Sequence, residues 1–232
     1  MKGIVAVVVF VTIMIAATGW AGQFGPPEPM ADPGKFSLGV GYWLDRSKMR
    51  LQGDYGLGTR SNQYYLQGSY SFLKDWEVYG RLGEADLRMY SSDTKQHFSD
   101  GVAPYGTLGF KGVVYRYKNF AIGPFLEESW YAGHTDVDHG QWDLNLGVSA
   151  QYKIPTASRD LTVYGGPFAY WRRAESNLSL NAPPMGDDMK EKHNIGGFLG
   201  VKVPVVQQKI FFTAEAQMRD RVGAGASLSY KF

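Results

Sequence analysis

All four histidines of the chain, His97, His134, His139 and His193, fall in or beside polar stretches that also carry Asp93, Asp100, Asp136, Asp138, Asp187 and Asp188. The densest grouping is GHTDVDHG at residues 133–140, where His134, Asp136, Asp138 and His139 bring imidazole nitrogens and carboxylate oxygens into one short segment. Such groups suit a divalent cation. Their spacing matches no established metal motif, and a solvated polar loop accounts for the same residues, so no cofactor is expected. A second set of chemically capable residues consists of charges set singly into apolar-alternating stretches: Glu77, Arg81, Lys111, Glu127 and Glu215. Turned into a narrow interior, these cations and carboxylates would pair, because a charge left unpaired and poorly hydrated is costly. Balanced pairs make a polar plug, an excess of one sign lines a pore, and a catalytic cluster is the third alternative. Cysteine chemistry is excluded, since the 232 residues include no Cys. GLGTR at 56–60 is glycine-rich, but no helix follows it to present a phosphate-binding amino terminus, so no nucleotide site is expected.

The elements that must position these residues begin after a targeting signal. Residues 1–21, MKGIVAVVVFVTIMIAATGWA, start with Lys2, continue apolar from Ile4 to Ala17 and end in small residues, with Gly19 and Ala21 at minus three and minus one of a cleavage after Ala21. This is the pattern of a secretory signal peptide. Its apolar run is shorter than the about 20 residues of a spanning helix, the competing reading. Without Lys2 the net charge is 23 − 22 = +1, which argues against a nucleic-acid partner. Residues 22–34, a leader containing QFGPPEPMADPG, are too proline-dense for a helix or a central strand and should be extended.

From residue 35 to 232 the apolar period is two. In Gln141–Ile154, Trp142, Leu144, Leu146, Val148, Ala150, Tyr152 and Ile154 alternate with Gln141, Asp143, Asn145, Gly147, Ser149, Gln151 and Lys153, which is a strand with one apolar and one polar face. The same pattern runs through residues 36–44, 64–72, 195–203, 210–218 and 222–232. Short connections at Lys74–Asp75, Lys118–Asn119, 155–160 and 205–208 alternate with longer polar ones at 53–61, 91–102, 133–140 and 176–192. Reading residues 35 to about 52 as one long strand gives ten antiparallel strands, with eight as the smaller possible count and both ends on the short-turn side. Even strand number, short turns on one side and long loops on the other are features of an up-and-down transmembrane β-barrel.

A soluble barrel or sandwich would hold its large aromatics in the middle of its strands. Here Trp130, Trp142 and Trp171 lie beside long-loop ends, and Trp76 begins a strand at the short-turn end. Two aromatic levels around an aliphatic and glycine zone are the girdles of a membrane-spanning barrel. On these residues the chain resembles the small outer-membrane β-barrels of Gram-negative bacteria, broadly OmpA-like. The terminal ASLSYKF strengthens the likeness, since Leu228, Tyr230 and Phe232 on one face resemble the signal read by the barrel-assembly machinery. Ten strands rather than eight, and no carboxy-terminal peptidoglycan-binding domain, depart from the OmpA pattern.

The resemblance implies outer-membrane lipid and lipopolysaccharide as surroundings, periplasmic ends for the barrel and its leader, and a monomer. Opposite parity to Trp142 then assigns Glu77, Tyr79, Arg81, Thr107, Lys111, Glu127, Asp143, Asn145, Gln151, Arg172, Glu215, Gln217 and Arg219 to the lumen. Arg81, Lys111, Glu127 and Glu215 are expected to share one level near mid-height. Glu127–Glu128 puts a carboxylate on each face unless a bulge intervenes, and a bulge is expected near Glu84–Ala85, where the apolar parity shifts between Leu82 and Leu87. Asp136-Val137-Asp138 with the nearby His resembles the aspartates and Asp-His of omptin proteases, and His97-Phe98-Ser99 the His-x-Ser of lipid A deacylases. Both lie in expected loops, so neither transfers well. Lys95, Lys190 and Lys192 suit lipopolysaccharide phosphates or mere solubility, and the loop 176–192 is the natural partner-binding element. The functional expectation is a non-enzymatic structural or surface-interaction protein with a mostly plugged polar lumen. A small-solute channel is the alternative, followed by a barrel enzyme.

Overall fold

The computed structural model describes residues 22–50, 56–91, 97–132, 141–156, 160–174, 189–191, 194–206 and 208–232. Its strands in chain order are β1 (Phe36–Arg50), β2 (Gly56–Leu73), β3 (Trp76–Ser91), β4 (His97–Gly112), β5 (Tyr115–Tyr117), β6 (Phe120–Tyr131), β7 (Gln141–Ile154), β8 (Leu161–Ala174), β9 (Met189–Glu191), β10 (Ile195–Val206), β11 (Ile210–Met218) and β12 (Val222–Lys231). The ten long strands form one antiparallel wall that closes on itself. β1 pairs with β12, Leu38 opposite Tyr230, and β8 pairs with β10, Tyr164 opposite Gly200. The two three-residue strands extend the wall at its ends: β5 pairs with β6, while β9 bridges the far ends of β8 and β1.

Alternation decides which side chains the wall encloses, and the enclosed ones are polar. Leu66, Leu82 and Leu199 are 66%, 73% and 65% exposed, whereas Glu77, Glu127 and Gln217 are at most 1% exposed. Water-soluble proteins distribute polarity the other way. An apolar outer band around a polar interior, with every wall strand paired on both sides, is the solution a bilayer imposes, because lipid offers no partners for backbone groups.

The wall is taller than the apolar period suggests. β2 begins at Gly56 and β4 at His97, so much of 53–61 and 91–102 is strand rather than loop, and His97, Phe98 and Ser99 pair in register with Tyr90, Met89 and Arg88. The polar outward residues of these ends are wall that has left the apolar zone. The same fact corrects the expected bulge at Glu84–Ala85. β3 keeps its parity, with Leu82, Glu84, Arg88 and Tyr90 exposed outside and Ala85 buried inside. The irregularity lies instead on β4, where Gly101 is left between Val102, opposite Asp86, and Asp100, opposite Leu87. Around Glu127–Glu128 the β6–β7 register is unbroken. At the opposite end the β5–β6 hairpin turns through Lys118 in the left-handed region (φ 52°). Lys111 is therefore next to the last residue of β4, close to the short-turn mouth.

Candidate functional site

The lumen is occupied by the chain's own leader. Gln23, Phe24, Met30 and Ala31 are buried, and the segment makes its bonds to the inner faces of strands on all sides. The Phe24 and Gly25 amides donate to the two carboxylate oxygens of Glu215 at 3.1 and 3.0 Å, and the Met30 amide donates to Glu77 Oε2 at 2.5 Å. The Gln23 side chain donates to the Thr213 carbonyl at 3.2 Å and accepts from Ser227 Oγ at 2.7 Å. Arg81 and Gln217 donate to the Gln23 and Gly22 carbonyls. The prolines explain why this segment, rather than an ordinary loop, can be enclosed. Pro26, Pro27, Pro29 and Pro33 carry no amide hydrogen, so four fewer donors need partners, and the Phe24, Gly25, Glu28 and Met30 amides find theirs on lumen side chains. Gly25 sits at φ +74°, and a Cβ there would come within 3.0 Å of Lys111 Nζ. The Phe24 ring completes an aromatic cluster with Phe125 at 4.3 Å, Phe168 at 4.9 Å and Phe198 at 5.2 Å.

Around this plug the lumen charges fall into separate groups rather than one level. Arg81 and Glu127 pair at 2.8 Å, both 2% exposed. Tyr79 donates to the same Glu127 oxygen at 2.8 Å, and Arg81 Nε donates to Gln67 at 2.8 Å. Lys111 and Glu77 pair at 3.5 Å nearer the short-turn mouth. Among the described residues Glu215 meets no cation, and it spends its carboxylate on the leader's backbone and on Gln217 Nε2 at 2.9 Å. A further layer lies toward the long-loop end. Arg172 forks onto Asp143 at 2.6 and 2.5 Å, reaches Asp45, and donates to Ser47 Oγ at 2.8 Å. Arg219 donates to Asn145 at 3.0 Å with its guanidinium 4.9 Å from the Tyr170 ring.

At the short-turn mouth Glu28 lies between Arg116 and Lys153, the latter at 2.7 Å, and Arg116 also meets Asp75 at 2.7 Å. Asp32 and Lys231 pair at 2.6 Å. Burial works to raise the Glu28 pKa, but hydrogen bonds and charge from Lys153, Gln151 and Arg116 outweigh it and hold the pKa at about 2.

Trp130, Trp142 and Trp171 stand on the outer face at the long-loop side, with Trp130 directly opposite Trp142 across β6–β7. Trp76 stacks on Phe110 at 5.0 Å at the other level. Leu228 lies opposite Val40, while Tyr230 and Phe232 meet edge to face at 4.9 Å. His134, Asp136, Asp138, His139 and the signal segment 1–21 lie outside the described residues. Among the described residues no group of three or more histidines and carboxylates could hold a metal ion.

Periodicity missed Gln23, Glu28 and Met30, because a proline-rich stretch has none to read. Charge counting gave no signal for them either, because the inward set is balanced, with Glu77, Glu127, Asp143 and Glu215 against Arg81, Lys111, Arg172 and Arg219.

A closed antiparallel ten-stranded barrel with a polar interior and an apolar outer band is the fold of an outer-membrane β-barrel protein. Among solved structures, the transport unit of the autotransporter AIDA-I from Escherichia coli is similar, with TM-score 0.51 and 11% identity over 96% of this chain and 97% of that one. The translocator domain of the autotransporter NalP from Neisseria meningitidis scores 0.48 at 11% identity, over 87% and 90% of the two chains. The outer membrane protease OmpT from Escherichia coli scores 0.49 at 11% identity, over 86% and 97%. No protein-family model and no curated protein matches the chain. The likeness to the AIDA-I transport unit shows an outer-membrane barrel as the fold, and no OmpA-like family is shown.

Proposed function

We propose that this protein is a bacterial outer-membrane barrel with a closed lumen, acting as a structural or surface-interaction protein through its long-loop end, and neither a constitutive pore nor an enzyme. In this reading the long loops face outward, the leader and both barrel ends face the periplasm, and residues 1–21 are removed on export. The barrel stands as a monomer among outer-membrane lipid and lipopolysaccharide, and Leu228, Tyr230 and Phe232 serve recognition by the assembly machinery. The observation that carries the reading is the docking of Gln23–Met30 onto Glu215 and Glu77 inside the wall. The lumen carboxylates Glu77, Glu127, Asp45 and Asp143 are engaged with cations, and Glu215 with the leader, so the charges of the lumen hold structure. Planar-bilayer recording of the refolded protein tests it. The expected trace is silent for the chain beginning at Gly22, with discrete steps appearing once residues 22–33 are deleted. Steps of the same size before and after deletion would overturn the closed lumen.

The separability of the leader also favours a second reading, a channel opened by leader release. The leader contributes no strand to the wall, so its departure would break no ladder pairing. Steps from the intact protein that vanish when the leader is cross-linked to the wall would select that reading.

A further inference from the structure

We propose that the short-turn mouth holds a binding site for a small phosphate-type anion, built on Lys202. This goes beyond the closed-lumen reading and uses only the docked position of the leader. A cavity of about 380 Å³ lies between Glu28–Pro33 and the wall at Thr162, Lys202 and Phe211. Its lining carries five cationic side chains, Lys74, Arg116, Lys153, Lys202 and Lys231, against three carboxylates, Glu28, Asp32 and Asp160. Arg116 and Lys153 are engaged by Glu28, and Lys231 by Asp32. Among the described residues Lys202 has no hydrogen bond or ion pair, and its ammonium lies 4.8 Å from the centre of the Phe211 ring.

Position makes this free ammonium more than a solvated surface charge. Lys202 stands opposite Thr162 on β8 and Thr213 on β11, both buried and turned inward. Of the two, Thr162 lines the cavity together with Lys202. An ammonium and a hydroxyl are donors that a compact anion can satisfy together, and a point-charge lysine takes phosphate without the fixed fork an arginine imposes. Counting Asp75, which engages Arg116, five cations face four carboxylates at the mouth, and the positive charge left over favours an anion. Because Lys202 faces the lumen, the ligand must arrive from the aqueous side of the mouth, as inorganic phosphate or a soluble phosphate ester.

The test is titration of the refolded full protein, in zwitterionic detergent at low salt, with inorganic phosphate followed by ³¹P NMR or calorimetry. Saturable binding is expected. Lys202→Met should weaken it about tenfold or more, while Arg88→Gln, a charge loss at the opposite end, should change it by less than about twofold. Retained heat-modifiable migration of Lys202→Met in gels shows that the barrel has folded. Absence of saturation up to about 20 mM, or equal affinity in Lys202→Met, overturns the site. Lys202-dependent binding to phosphatidylglycerol nanodiscs without binding of inorganic phosphate also overturns it, by reassigning the ammonium to a lipid headgroup.

Discussion

Replacing Glu215 by alanine should release the leader while leaving the wall intact. Glu215 accepts the Phe24 and Gly25 amides at 3.1 and 3.0 Å and pairs with no cation among the described residues, so its loss strands no buried charge there. Hydrogen bonds to a charged group are worth about 1.5–3 kcal/mol each. Removing two of them at the low end of that range costs the docked state about 3 kcal/mol, a shift of roughly a hundredfold toward the undocked leader. Glu215→Gln keeps one oxygen acceptor and should fall between the two. With no native cysteine, a single Ala31→Cys at a buried position reports release through its rate of maleimide labelling, which follows the open population when opening and closing are fast. Labelling should accelerate about a hundredfold in Glu215→Ala and less in Glu215→Gln. An unchanged rate in Glu215→Ala would refute the argument that these two amide bonds hold the plug.

Three further outcomes follow from the same geometry. Arg81→Met alone leaves the Glu127 carboxylate buried without its cation and should cost about 3–5 kcal/mol in urea-dependent folding into vesicles. Adding Glu127→Gln should recover most of the loss, and an additive double mutant would speak against the pair. Leu146→Arg on the outer face should cost about 2–4 kcal/mol, whereas Asn145→Ser, one residue away inside the lumen, should cost about 1 kcal/mol for its bond from Arg219. Equal costs would reject the assigned faces. Glu28 has a folded pKa of about 2 against an ordinary 4.5, so its contribution to leader docking is complete above pH 4.5 and is lost as pH falls through about 2. Pepsin should therefore cut the leader increasingly from pH 4.5 downward, and Glu28→Gln should already be cut at pH 4.5. Protection of both proteins across that range would remove Glu28 from the docking.

The alternation of Trp142 to Ile154, the spacing of turns and the aromatic ends of the strands by themselves specify a ten-stranded transmembrane barrel. The physical reason is local: side-chain parity along a strand and the polarity of each face are properties of consecutive residues. The inward set from Glu77 to Arg219 is legible for the same reason. Which of those residues meet is a different matter. Arg81 reaches Glu127 and not Glu215, and Arg172 gathers Asp143 and Asp45, because partners across a barrel are fixed by its stagger and closure, which no single strand encodes. The bulge at Gly101 and the strand at His97–Ser99 depended on how far the paired wall continues past the apolar band. Above all, the proline-rich leader has no period to read. Its four prolines told only that it joins no ladder, and the tertiary structure decided that it lies inside, where Glu215 gives the Phe24 and Gly25 amides and Glu77 the Met30 amide the acceptors that water would otherwise supply.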